Sequence, residues 1–62
     1  MKPASEVKVG DTLLYIPGGI DCVVADMDPD YCPPKWIKVD IEGDENLVLH
    51  DDFHEFNLNE YN

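Results

Sequence analysis

The stretch Trp36-Ile37-Lys38-Val39-Asp40-Ile41-Glu42 decides the fold. From Ile37 onward it alternates apolar and polar side chains. Successive side chains on a strand point to opposite faces. Ile37, Val39 and Ile41 therefore share one side, and Trp36, Lys38, Asp40 and Glu42 the other, which is the pattern of a half-buried strand. Gly43-Asp44-Glu45-Asn46 reads as a turn, and Leu47–His50 as the returning strand of a hairpin.

Working outward from that hairpin, the same signs recur. Thr12–Ile16 and Ile20–Ala25 are short apolar segments separated by Pro17-Gly18-Gly19, a fixed φ followed by two permissive residues. They read as a second hairpin. Between the hairpins lies Asp26-Met27-Asp28-Pro29-Asp30-Tyr31-Cys32-Pro33-Pro34, whose prolines and aspartates oppose regular structure and predict the longest loop. After Asp51-Asp52, Phe53, Phe56 and Leu58 are placed to close the core from a short 3₁₀ turn and a last strand. No helical period of useful length occurs. The 62 residues make one domain, with the folded body over about 7–58 and a frayed tail over 59–62. Four or five short strands without a covering helix must curl on themselves. The expected class is all-β: a small, partly open antiparallel barrel with a short 3₁₀ turn.

The stretch Lys8-Val9-Gly10-Asp11-Thr12-Leu13-Leu14-Tyr15-Ile16 resembles the entry to SH3-like small barrels of the KOW and Tudor kind, in which a Gly-Asp turn feeds the first strand. Leu47-Val48-Leu49-His50-Asp51-Asp52-Phe53 is similar to their late strand followed by a 3₁₀ turn. The resemblance covers residues 7–58 in order and spacing, and implies their fold. The chain lacks the basic, RNA-facing residues of KOW modules, and a recognisable SH3 peptide groove.

The expected core is Val9, Leu13 or Leu14, Ile16, Val23 or Val24, Ile37, Val39, Ile41, Leu47 or Val48, Leu49 and Phe53. Both faces of the first two strands are apolar, so a second buried surface, such as a homodimer contact, is allowed.

Charge bounds the function. The net charge is −10, from 14 acidic residues against 4 lysines and no arginine. After Lys38 no cation follows, while Asp40, Glu42, Asp44, Glu45, Asp51, Asp52, Glu55 and Glu60 do. Nucleic acids are held by clustered Lys and Arg, so direct DNA or RNA binding is not expected. The apolar runs are too short for a membrane span. The start, Met1-Lys2-Pro3-Ala4-Ser5-Glu6, lacks the apolar stretch of a signal peptide. A cytoplasmic location is expected, with Cys22 and Cys32 as free thiols.

Neither metal motif is complete. Asp26-Met27-Asp28-Pro29-Asp30 alternates oxygen ligands like a calcium loop, but Tyr31 stands where that loop needs Gly and Ile37 where it needs Glu. Cys22, Cys32, His50 and His54 lack the close cysteine spacing of a zinc site. No cofactor is expected. No nucleophile–base motif surrounds either histidine, and so small a chain encloses little pocket, so no enzyme activity is expected. Tyr15, Tyr31 and Trp36 offer the aromatics for a cage around a methylated cation.

The acids are the remaining feature. Asp21, Asp26, Asp28, Asp30, Asp40, Glu42, Asp44 and Glu45 are expected to gather on one side of the barrel and its edges, with Tyr31 and Trp36 as further contact residues. Carboxylates so spaced imitate a row of phosphates. The expected partner is a basic, nucleic-acid-binding protein, and the expected function is that of an inhibitor or adaptor. A DNA mimic of a phage or mobile element, of the anti-CRISPR or anti-restriction type, is the concrete form. The alternative is an SH3-like interaction or structural module that binds a peptide or subunit through Trp36 and the 26–34 loop.

Overall fold

The computed structural model describes residues 1–59. These form an all-β domain. Its strands are β1 (Lys2–Pro3), β2 (Thr12–Tyr15), β3 (Ile20–Met27), β4 (Trp36–Ile41), β5 (Asp44–Leu49) and β6 (Leu58–Asn59). Two 3₁₀ turns, Ala4–Glu6 and His50–Glu55, flank the strands. Strands β2-β3-β4-β5 make one antiparallel sheet in chain order, and β1 pairs with β6 in parallel. The four-stranded sheet does not close into a barrel.

Each connection follows from a local residue choice. The entry turn runs Lys8–Asp11. Gly10 sits there at φ +96°, a conformation that a side chain disfavours, and the Asp11 N–H donates to the Lys8 carbonyl at 3.0 Å. The β4–β5 turn is tighter than the sequence suggests. Ile41 pairs with Asp44, which leaves only Glu42 and Gly43 in the loop, at φ +53° and +91°. Positive φ at both positions fits the sharp twist that a two-residue hairpin needs. The Asp40 carboxylate stabilises the turn by accepting the Gly43 N–H at 2.8 Å.

A bulge sets the faces of β3. Val24 pairs with Val39 and Asp26 with Lys38, so Ala25 is the extra residue. Without it, Met27 would face outward. With it, Met27 sits opposite Ile37 and packs on the core.

The core is Ala4, Val7, Leu13, Cys22, Val24, Ile37, Val39, Val48, Phe53, Phe56 and Leu58, with Tyr15, Met27 and Ile41 packed against it. Of the paired alternatives, Leu13, Val24 and Val48 face inward. Leu14, Val23 and Leu47 face outward. Three core expectations are corrected. Val9 is exposed because it occupies the entry turn, and Ile16 because it lies past the end of β2. Leu49 is exposed because it points from the outer side of β5. Ala4 and Val7 were not expected, since the N-terminal segment shows no strand period. The segment is drawn in through Lys2, whose N–H donates to the Asn57 carbonyl at 3.0 Å and whose ammonium pairs with Asp11 at 2.9 Å. Of the expected tail, Asn59 instead pairs with Pro3 in β6, and residues 60–62 lie outside the described residues.

The outer edge of β2 is covered by the chain that follows the second 3₁₀ turn. Tyr15 bridges Phe56, the Ile16 N–H donates to the Glu55 carbonyl at 2.8 Å, and the Asn57 N–H donates to the Leu14 carbonyl at 3.1 Å. The Asn57 side chain returns a bond, its Oδ1 accepting the Leu14 N–H at 2.9 Å.

Candidate functional site: two ends of one sheet

The register separates the expected site residues into two groups. The β2–β3 and β4–β5 turns lie at one end of the sheet. The 28–35 loop lies at the other, about 17 Å away along the six residues of β4.

At the turn end stand Asp21, Asp40, Glu42, Asp44 and Glu45. Asp40 lies between Val23 on β3 and Glu45 on β5, and Asp21 lies two residues before Val23. Asp40 and Glu45 are thus like charges placed directly opposite, an arrangement that disfavours the pairing. The lysines lie elsewhere: Lys2 on β1, Lys8 in the entry turn, Lys35 in the long loop and Lys38 in mid-β4, opposite Asp26.

At the loop end the charges are occupied differently. Asp28 is buried, with 5% of its surface exposed. Its Oδ1 accepts the Asp30 N–H at 2.9 Å and its Oδ2 the Lys35 N–H at 3.0 Å. Its own N–H donates to the Trp36 carbonyl at 3.1 Å. The bonds accepted by the carboxylate favour the anion, the Asp30 N–H most, and hold the carboxyl below its ordinary value of 3.8. Asp28 is therefore a loop organiser and adds nothing to an exposed face. The short side chain is what allows it to turn back on the backbone. Asp26 and Asp30 remain exposed, with Lys38 opposite the first. The Lys35 ammonium sits 4.0 Å from the centre of the exposed Tyr31 ring. The loop end is therefore mixed in charge.

The exposed carboxylates accordingly divide between the two ends of the sheet, and Asp28 is withdrawn from them by burial. The three aromatics also part company: Tyr15 packs on Phe56 with ring centres 5.2 Å apart, Tyr31 lies under Lys35, and Trp36 faces outward on β4. They form no cage. The candidate zinc ligands are equally scattered, since Cys22 is buried on the inner face of β3 while Cys32, His50 and His54 are exposed. Among the described residues no cluster of three potential ligands could hold a metal ion. Both cysteines are free. Burial pushes the Cys22 thiol up, aided by Asp21.

The feature that the sequence reading missed is a groove. It lies where the sheet fails to close, between β5 and the β2–Phe56 bridge, and encloses about 490 Å³. Tyr15, Ile41, Leu47, Val48 and Phe56 supply its apolar lining, and Glu42, Asp44, Asp52 and Glu55 its carboxylates. Asp52 and Glu55 belong to the second 3₁₀ turn, in which Phe53 is buried, Asp52 and His54 are exposed and Glu55 is half-buried, and buried Phe56 follows the turn. That alternation was legible, but the seam it borders depends on how far the sheet curls.

Compared with known proteins, the chain matches no family model, no curated protein and no solved structure. Among the described residues no helix is long and apolar enough to cross a membrane.

Proposed function

We propose that the chain docks through the turn end of its sheet and the adjoining groove on the basic surface of a nucleic-acid-binding protein. It acts there as an inhibitor or adaptor without catalysis of its own. The supporting observation is local. Asp21, Asp40, Glu42, Asp44, Glu45, Asp52 and Glu55 fall on this part of the molecule, and none of them forms a salt bridge with lysine among the described residues. Uncompensated charge of one sign accelerates association with an opposite surface and is screened by salt. A DNA mimic of the anti-CRISPR or anti-restriction type, working in the cytoplasm, is the concrete form of this reading. We read the fold as SH3-like on the order of its elements: a four-strand meander, a 3₁₀ turn, then a chain segment that returns to bridge the first strand of the meander.

One observation favours a second reading, in which the chain is an interaction module working through its loop end. Trp36 lies opposite Leu49, which is 53% exposed, and Leu47 beside them is 61% exposed, so an apolar patch borders the loop.

Capture of partners from a native cell lysate, read by mass spectrometry with duplex DNA added as competitor, separates the two. The mimic reading expects a basic, nucleic-acid-binding protein that DNA or about 0.5 M salt releases. A partner that survives both, and is lost on Trp36→Ala, overturns it in favour of the module.

A further inference from the structure

The outer edge of β5 is an open strand edge. Glu42 and Gly43 form a two-residue loop, so Ile41 and Asp44 are a hydrogen-bonded pair, and the alternation continues through Val39–Asn46 and Ile37–Val48. The backbone N–H and C=O groups of Glu45 and Leu47 therefore point away from β4. The same parity sends the Trp36 carbonyl toward β3, where it accepts the Asp28 N–H. Among the described residues no strand pairs with that edge of β5.

An open edge invites another strand, and natural proteins restrict which strand by placing charges on it. Here the restriction is acidic. Asp44 and Glu45 begin the edge, and Glu42, Asp52 and Glu55 stand by the groove beside it. A second copy of a chain of net charge −10 meets its own repulsion there. A cationic strand meets the opposite sign.

We infer that this edge accepts an extended segment of the partner, alternating basic and apolar residues, which adds to β5 as a further antiparallel or parallel strand. Its backbone pairs with Glu45 and Leu47. Its apolar side chains enter the groove against Tyr15 and Phe56, and its cations lie among the carboxylates. Main-chain bonds supply affinity, and the alternate side chains supply specificity. The inference rests on the proposed basic partner and names the part of it that is bound.

The test uses an acetylated and amidated heptapeptide alternating lysine and valine, with a fully backbone-N-methylated peptide of the same sequence and charge as control. Amide exchange and NMR shifts of the whole chain are read at low salt. Strand addition predicts slowed exchange at the Glu45 and Leu47 amides and binding about tenfold tighter than the control, since the control has no N–H to donate. Equal binding of the two peptides without protection at those amides overturns strand addition and leaves docking by charge standing. Failure of both peptides to bind overturns both. Protection that grows with protein concentration in the absence of peptide makes a second copy the occupant and overturns the inference.

Discussion

The two ends of the sheet carry acids of the same kind and use them in opposite ways. At the loop end Asp28 turns inward and satisfies two backbone N–H groups, and the exposed acids there have lysines for neighbours on the same loop and strands. At the turn end Asp40 caps a tight turn, but it also faces Glu45 across the strand pair, and among the described residues none of the acids there forms a salt bridge with lysine. The first arrangement stabilises the fold. The second opposes it, and leaves a surface that a cationic partner would relieve. Composition alone does not distinguish these cases, because hydrogen-bonding geometry and register decide which carboxylate serves the backbone.

The largest effect should come from removing the organiser of the loop end. Asp28→Ala leaves the Asp30 and Lys35 N–H groups without their acceptor. We expect the melting temperature to fall by about 10 °C and the exchange of those two amides to accelerate, checked by calorimetry and hydrogen exchange. The acid dependence follows the same logic. The folded carboxyl of Asp28 titrates below its unfolded value of 3.8, so its contribution is complete above that pH and is lost as pH falls through the folded value. The acid limb of the melting profile should therefore be shallower in Asp28→Asn than in the native chain.

At the turn end two substitutions should stabilise. Glu42 holds φ +53°, where an L side chain crowds its own carbonyl. Glu42→Gly should raise stability by about 1 kcal/mol in denaturant titration. Glu45→Lys replaces a like-charge cross-strand pair with an opposite one, and should add about 0.5 kcal/mol. It should also reduce the rise in melting temperature that about 0.5 M salt gives the native chain through screening. The smallest effect belongs to the loop surface. Lys35→Gln removes the cation over Tyr31, and should cost about 0.5 kcal/mol or less because the pair is exposed.

Much of the fold was legible because it depends on period and punctuation. The alternation Ile37-Val39-Ile41 fixed the inner face of β4, and Gly10, Pro17-Gly18-Gly19 and Gly43 marked the turns. What stayed hidden depends on contacts distant in sequence. Whether Leu13 or Leu14 faces inward is undecided in a doubly apolar strand, and was set by the pairing of Leu13 with Cys22. The bulge at Ala25 carries no residue signature. The candidate site suffered more. Asp28 looks like Asp26 and Asp30 in sequence, yet only Asp28 is buried. The groove exists because β5 and β2 stay apart, a distance that no local pattern encodes.

The central claim is that acidity acts by position and not in bulk. The most direct measurement compares two variants of equal net charge on the partner captured by the native chain. Asp44→Lys with Glu45→Lys reverses the turn end, while Asp26→Lys with Asp30→Lys reverses the loop end. Asp40 is left intact in both because it holds the β4–β5 turn. The account predicts a loss of affinity of about tenfold or more for the turn-end pair, carried mainly by slower association, and about twofold or less for the loop-end pair. Equal losses from the two pairs would contradict it.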